Sequence, residues 1–181
     1  MTPKKLILLL VGFGALASGL SFADSPLPPP QRKDVWSNNK RFCAEMDPRA
    51  RLTTVYSVTN GSRERKWAML GWFRVAYLAD DGEHLVIGHE GINLLPLDLT
   101  KDDILVYFVK KGQVVHTLPV SEVIKNRSSL KRTASHLLWG SYLGLDREGH
   151  FGVDTVEGRS LYFDVTTGEL VKAASSTSEN W

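Results

Sequence analysis

Tyr77–Val120 reads YLADDGEHLVIGHEGINLLPLDLTKDDILVYFVKKGQVVHTLPV, and its punctuation predicts two β-hairpins joined by a loop. In the first, Asp80-Asp81-Gly82 supplies the turn between the runs Val75–Leu78 and His84–Gly88. Aspartate tolerates left-handed backbone angles and glycine adopts them without a Cβ clash, so an Asp-Gly pair between apolar runs is a hairpin signal. In the second, Lys110-Lys111-Gly112 separates Ile104–Val109 from Gln113–Leu118. Both flanks are rich in Val, Ile, Tyr and Phe, which suit a pleated, half-buried surface.

The pattern recurs downstream. Leu145-Asp146-Arg147-Glu148-Gly149 followed by His150–Thr155 mirrors the first hairpin, and Arg159–Val165, Thr166-Thr167-Gly168 and Glu169–Lys172 mirror the second. Gly82 and Gly149 are 67 positions apart and Gly112 and Gly168 are 56 apart, so the loop His89–Asp103 carries an insertion that the second copy lacks. Two linked hairpins make four strands per repeat, the unit from which β-propeller blades are built. The expected fold class is therefore all-β: an antiparallel meander of linked hairpins, propeller-blade-like or an open two-sheet arrangement, with one short helix.

Upstream, Met1–Ala23 has the composition of a cleaved signal peptide. Lys4 and Lys5 form a charged start, Leu6–Leu16 is apolar with glycine, and Ser21-Phe22-Ala23 offers small residues where a signal peptidase reads. An uncleaved anchor would need about 20 apolar residues, and Ser18, Gly19 and Ser21 interrupt the run. Residues 24–39 are expected to be a proline-rich linker, because SPLPPPQRK favours extended polyproline II. A single β domain is expected over 40–174 and a loose tail over 175–181, the small, polar end that begins at Ala173. Within the domain, Asn60-Gly61 predicts a further hairpin between Arg51–Val58 and Arg65–Met69. Ser121 is the expected N-cap of the one short helix, with Val123 and Ile124 on its apolar side.

Charge excludes one class of partner. The chain has 22 Lys+Arg and 20 Asp+Glu, and the leader holds two lysines and no acid, so the remainder is formally neutral. A nucleic-acid binder is expected to carry a basic surplus. Cys43 is the single cysteine, so no disulfide framework holds the fold. The chain beyond the leader is long enough to bury roughly 70% of its unfolded surface in one core, and Cys43 is expected to be a buried small hydrophobe. An exported chain with one cysteine points to a bacterial envelope, periplasmic or secreted.

WFRVAYLADDGEHLVIGHEGINLLPLD, RTASHLLWG and DTVEGRSLYFDVTTGEL together resemble an uncharacterised family of exported bacterial proteins with β-propeller-like hairpin repeats, over about Phe42–Leu170. The resemblance implies a fold tendency and carries no activity, substrate or site.

No catalytic constellation, metal-ligand spacing or cofactor motif stands out. His89-Glu90 lacks the second histidine of a zinc helix. Ser135-His136 is a tempting hydrolase pair, but adjacent residues on an extended strand face apart. Asp80-Asp81 and Asp102-Asp103 read as turn chemistry, at which calcium lacks its usual ligand ladder. What remains is a binding surface: His89, Glu90, Asn93 and Leu95 in the inserted loop, with His136 and Trp139 as neighbours. The competing reading of the loop's apolar residues is that they tuck back over the sheet edge. The function expected is a non-enzymatic exported envelope protein that binds an envelope protein or small ligand, with no nucleic acid, no integral membrane segment after cleavage, and self-association left open. The alternative is a small metal-assisted or hydrolytic enzyme using His89, His136 and a nearby acid.

Overall fold

The computed structural model describes residues 26–175, so the leader and the end of the tail lie outside the described residues. The first sheet is β1 (Lys33–Trp36), β2 (Phe42–Asp47), β3 (Leu52–Thr59) and β4 (Ser62–Leu70), paired in that order. The second contains β5 (Ala76–Leu78) and β6 (His84–Gly88). The chain then leaves it for the short strand β7 (Leu94–Pro96) and returns as β8 (Ile104–Lys110) and β9 (Gln113–Pro119). A linker holds the helical turn α1 (Val120–Val123), a 3-10 turn (Arg127–Ser129) and the strands β10 (Lys131–Arg132) and β11 (His136–Leu138). The third sheet is β12 (Gly140–Leu145), β13 (His150–Thr155), β14 (Arg159–Asp164) and β15 (Leu170–Ser175). Each large sheet is a four-stranded antiparallel meander, and β10, β11 and β7 form a small fourth sheet. The fold is all-β and built of hairpin blades, with three such blades in place of a two-sheet arrangement.

The turns behave as their residues demand. Asn60 and Gly61 both take positive φ (51° and 79°), as do Lys111 and Gly112 (47° and 84°). Two consecutive left-handed residues reverse a hairpin with a twist that matches its strands.

β6 shows why the quoted stretch decides the fold. Its five residues are all buried, because alternate side chains feed different cores. Leu85 and Ile87 join Ala44, Met46 and Val55 on one side. Val86 joins Phe108, Phe151, Val153, Leu161 and Phe163 on the other. The second sheet is therefore sandwiched between the first and third, and a strand covered on both faces reads as an unbroken apolar run.

Three expectations are corrected. The linker expected over 24–39 already contains β1, in which Lys33–Trp36 pairs with Cys43–Met46 and completes the first blade. Its charged, alternately exposed residues gave no apolar signal. The tail expected to loosen from Ala173 instead stays in β15, with Ala173 opposite Leu161 and Ala174 opposite Ser160. Ser121 does not cap the helix: it lies inside α1, whose N-cap is Pro119 with no side-chain cap bond. Proline's fixed φ near −73° starts the turn without a hydroxyl. Among the described residues no helix is long and apolar enough to cross a membrane.

Candidate functional site

The inserted loop leaves β6 at Gly88, and its first residue is fixed from two directions. The His89 backbone N–H donates to the Tyr142 hydroxyl at 2.7 Å, and that hydroxyl donates onward to the Leu105 carbonyl at 3.4 Å. Burial pushes the Tyr142 phenol well above its ordinary range. The Gly91 N–H donates to His89 Nδ1 at 3.0 Å, so the neutral ring carries its proton on Nε2. Burial holds the His89 pKa below its usual value, against the opposing influence of Glu90 and Asp103. The ring is thus a neutral donor at ordinary pH. Glu90 is held by Arg74 at 3.3 Å, and Arg74 in turn lies over Trp72, 5.2 Å from the ring centroid.

His89 stands where two lobes of one groove meet. The first lobe, about 470 Å³, is walled by Met69, Leu70 and Phe73 from the end of the first sheet and by Ile104, Tyr107 and Val114 from the second. The other, about 510 Å³, runs past Pro96, Asp98, Thr100 and Asp103. His89, Ile104 and Tyr107 line both. Leu70 is 80% exposed and Val114 53%, so the first lobe offers apolar surface to solvent, with His89, Glu90 and Tyr107 as the polar side chains in its wall.

The six residues expected to bind divide. His89 and Glu90 line the groove. The Asn93 carbonyl accepts the Trp139 backbone N–H at 3.2 Å. Leu95 and Trp139 are fully buried in the main core, which corrects their expected role as surface contacts. The insertion is folded back as β7, which pairs Leu94–Pro96 with His136–Leu138, and the Trp139 indole donates to the Ile92 carbonyl at 2.9 Å beneath it. The reading in which the loop's apolar residues tuck inward holds for Leu95, whereas Leu97 stands 37% exposed. His136 sits on β11 opposite Pro96. Its Nδ1 lies 2.8 Å from Ser135 Oγ, where the strand argument expected the two to face apart. The premise of an extended chain fails there, because the Thr133 N–H donates to the His136 carbonyl at 2.9 Å and closes a tight turn.

Met69, Leu70, Phe73, Ile104, Tyr107 and Val114 were not read as site residues. Each looks like ordinary strand composition, and only the juxtaposition of two sheets sets them around one groove.

At the opposite ends of β6 and β13 the turns repeat a device. Asp81 Oδ1 accepts the N–H groups of Glu83 and His84 while its Oδ2 lies 2.6 Å from His84 Nδ1. Asp146 Oδ1 accepts those of Glu148 and His150, with Oδ2 3.1 Å from His150 Nδ1. Burial opposes ionisation of both carboxyls, but these bonds outweigh it and hold them below the usual range. Ligand atoms of Asp146, Glu148 and His150 lie within 4.8 Å of one another. The counterpart in the other blade differs, because Glu83 is drawn to Lys111 at 2.7 Å. What the two blades share is an aspartate that caps a turn, and the expectation of turn chemistry at Asp80-Asp81 stands.

No protein-family model matches this chain, and no curated protein matches it. Among solved structures it is similar to the β-propeller domain of Cps50 (Swd1) from Myceliophteria thermophila, 14% identical with a TM-score of 0.40 over 78% of this chain and 40% of that one. It is also similar to the hydrazine synthase of Kuenenia stuttgartiensis, 10% identical with a TM-score of 0.38 over 80% and 37%. A third likeness is to the C-terminal WD40 domain of Sif2, 10% identical with a TM-score of 0.35 over 78% and 36%. This chain thus spans about two fifths or less of each of those chains.

Proposed function

We propose that the chain is an exported, non-enzymatic binding module that takes an apolar segment of an envelope protein into the groove around His89. The observation that carries this reading is the grouping of exposed Leu70, Tyr107 and Val114 along a groove whose wall includes the neutral His89 ring. Surface apolar residues are ordinary singly; a contiguous set beside a concavity with a fixed donor marks recognition. His89 Nε2–H would bind a carbonyl of the guest, and the rigid sheets would hold the groove preformed. Export is supported by the composition of the leader and by the resemblance to exported bacterial proteins that Trp72–Asp98, Arg132–Gly140 and Asp154–Leu170 carry. A photo-crosslinking residue placed at Tyr107 tests the reading in the intact envelope. A discrete adduct is expected, lost in a Leu70→Asp/Val114→Asp variant that keeps the wild-type melting temperature. No adduct, or one indifferent to that variant, would overturn it.

A further inference from the structure

A second concavity lies between the inserted loop and the linker to the third sheet, sharing only Leu99 and Thr100 with the second lobe of the His89 groove. Its volume is about 270 Å³. Its floor is Leu99, Val120, Ile124 and Leu130, all buried and all part of the larger core. The side chains above that floor are Thr100, Lys101, Ser121, Lys125 and Arg127, so three cations and two hydroxyls line it and no acid does. In a chain that is formally neutral without its leader, that is a local imbalance.

The three cations are not equivalent. The Arg127 guanidinium is committed to the backbone, donating to the Leu99 and Leu97 carbonyls, and it fixes one wall. Lys101 and Lys125 are exposed, and among the described residues no ion pair engages either ammonium. Asp102 and Glu122, next in sequence to Lys101 and Ser121, are exposed and do not line the cleft, and two further acids are engaged elsewhere. Asp103 accepts the Thr100 N–H at 2.7 Å. Glu157 accepts the Lys125 and Asn126 N–H groups and pairs with Arg159 at 2.6 Å. The Ser121 N–H donates to the Lys101 carbonyl at 3.1 Å, which ties the two walls together and keeps the mouth in shape.

An apolar floor beneath two unpaired ammoniums is complementary to an anion with an aliphatic chain. We propose that this cleft binds a free medium-chain monocarboxylate, its chain on Leu99, Val120, Ile124 and Leu130 and its carboxylate between Lys101 and Lys125. The cleft is slightly smaller than the roughly 300 Å³ at which ligand pockets usually begin, so chains of about six to ten carbons are the matching size. Each methylene that reaches the floor tightens binding by up to about fourfold. The carboxylate contributes through a charge attraction that added salt weakens.

Calorimetric titration of the full chain with hexanoate, octanoate and decanoate tests this, with octan-1-ol as the uncharged probe. Affinity is expected to rise along the acid series, to fall for octanol by tenfold or more, and to weaken in high salt. Lys101→Gln/Lys125→Gln alters only exposed side chains and should lose octanoate binding by at least tenfold at an unchanged melting temperature. Ser121→Phe, which fills the mouth, should abolish it. No binding at about 1 mM octanoate, equal binding of octanol and octanoate, or an indifferent double-lysine variant would overturn the proposal. None of these outcomes bears on the groove at His89.

Discussion

Cys43 illustrates what a single residue's surroundings decide. It is fully buried beneath an aromatic and charged surface, where Trp36 pairs with it on one side and Tyr56 on the other. Burial first, and then the nearby Asp34 charge, push its thiol up to about 11. The thiolate is the nucleophile, so the native protein should leave a disulfide reagent unreacted at pH 8 and release one equivalent on unfolding. Rapid reaction of native protein would show the site open. Aspartates at the turns behave in the opposite sense. Burial raises Asp81, but the His84 ring and two backbone N–H groups more than compensate; Asp164 is lowered chiefly by the Thr166 hydroxyl. A carboxyl whose folded pKa lies below its unfolded value, near 3.9, contributes stability above that value and loses it as pH falls through the folded pKa. The urea midpoint should therefore hold down to about pH 4 and fall below it. In Asp81→Asn/Asp164→Asn it should be lower at neutral pH and decline less steeply in acid. A wild-type midpoint that does not move between pH 5 and pH 2 would contradict this.

At the scale of elements, the hairpins were legible because their turns need particular residues. Asn60-Gly61 and Lys111-Gly112 carry the left-handed angles themselves, so the sequence names the turn and the flanking strands fall into place around it. β1 and the end of β15 were not legible, since each is an outermost strand of its sheet and shows no apolar alternation. The insertion at His89–Asp103 was visible as a length difference, but whether Leu95 faced solvent depended on β11, forty residues on and itself only three residues long. The groove was the least legible feature, because Leu70 and Val114 become neighbours only when two sheets meet. Glycine positions offer a sharp test of the element geometry. Gly140 enters β12 at φ 156°, and a Cβ there would strike the Asp154 carbonyl on the paired strand. Gly61 also takes positive φ, yet nothing lies within 4 Å of its missing Cβ. Gly61→Ala should then show backbone strain alone, about 1–2 kcal/mol, while Gly140→Ala adds a collision with main chain and should exceed it, at about 3 kcal/mol or more. Equal urea midpoints for the two variants would mean that β12 does not approach β13 as described.

For the molecule as a whole, the question is whether three blades stand alone or seek others, since closed propellers hold at least about four. The outward faces of the two terminal sheets answer it. On the first, Arg63 lies over the Trp36 and Tyr56 rings, 5.7 and 5.8 Å from their centroids. It pairs with Asp34 at 2.6 Å and with Glu45 at 3.4 Å, and Arg32 pairs with the same Glu45 at 2.7 Å. On the third, Asp154 is bonded to Ser160, and Lys172 lies over Tyr162, 5.4 Å from its ring centroid. The same sheet also carries Leu143, Leu170 and Val171, which stand 48%, 54% and 49% exposed. Another blade packed on either face would have to strip water from charges already satisfied. Repeat arrays end in units whose outer face is polar for the same reason. The second sheet, by contrast, feeds both apolar cores, with β6 buried along its whole length. The described chain should accordingly sediment as a monomer at micromolar concentration. Arg63→Leu, which strips the first face of its cation and leaves Asp34 and Glu45 without it, should lower stability by about 1 kcal/mol or more without producing dimers. A stable trimer or dimer of the wild type, dissolved by that same substitution, would show instead that the Arg63 face is an interface and that the arc closes through copies of itself.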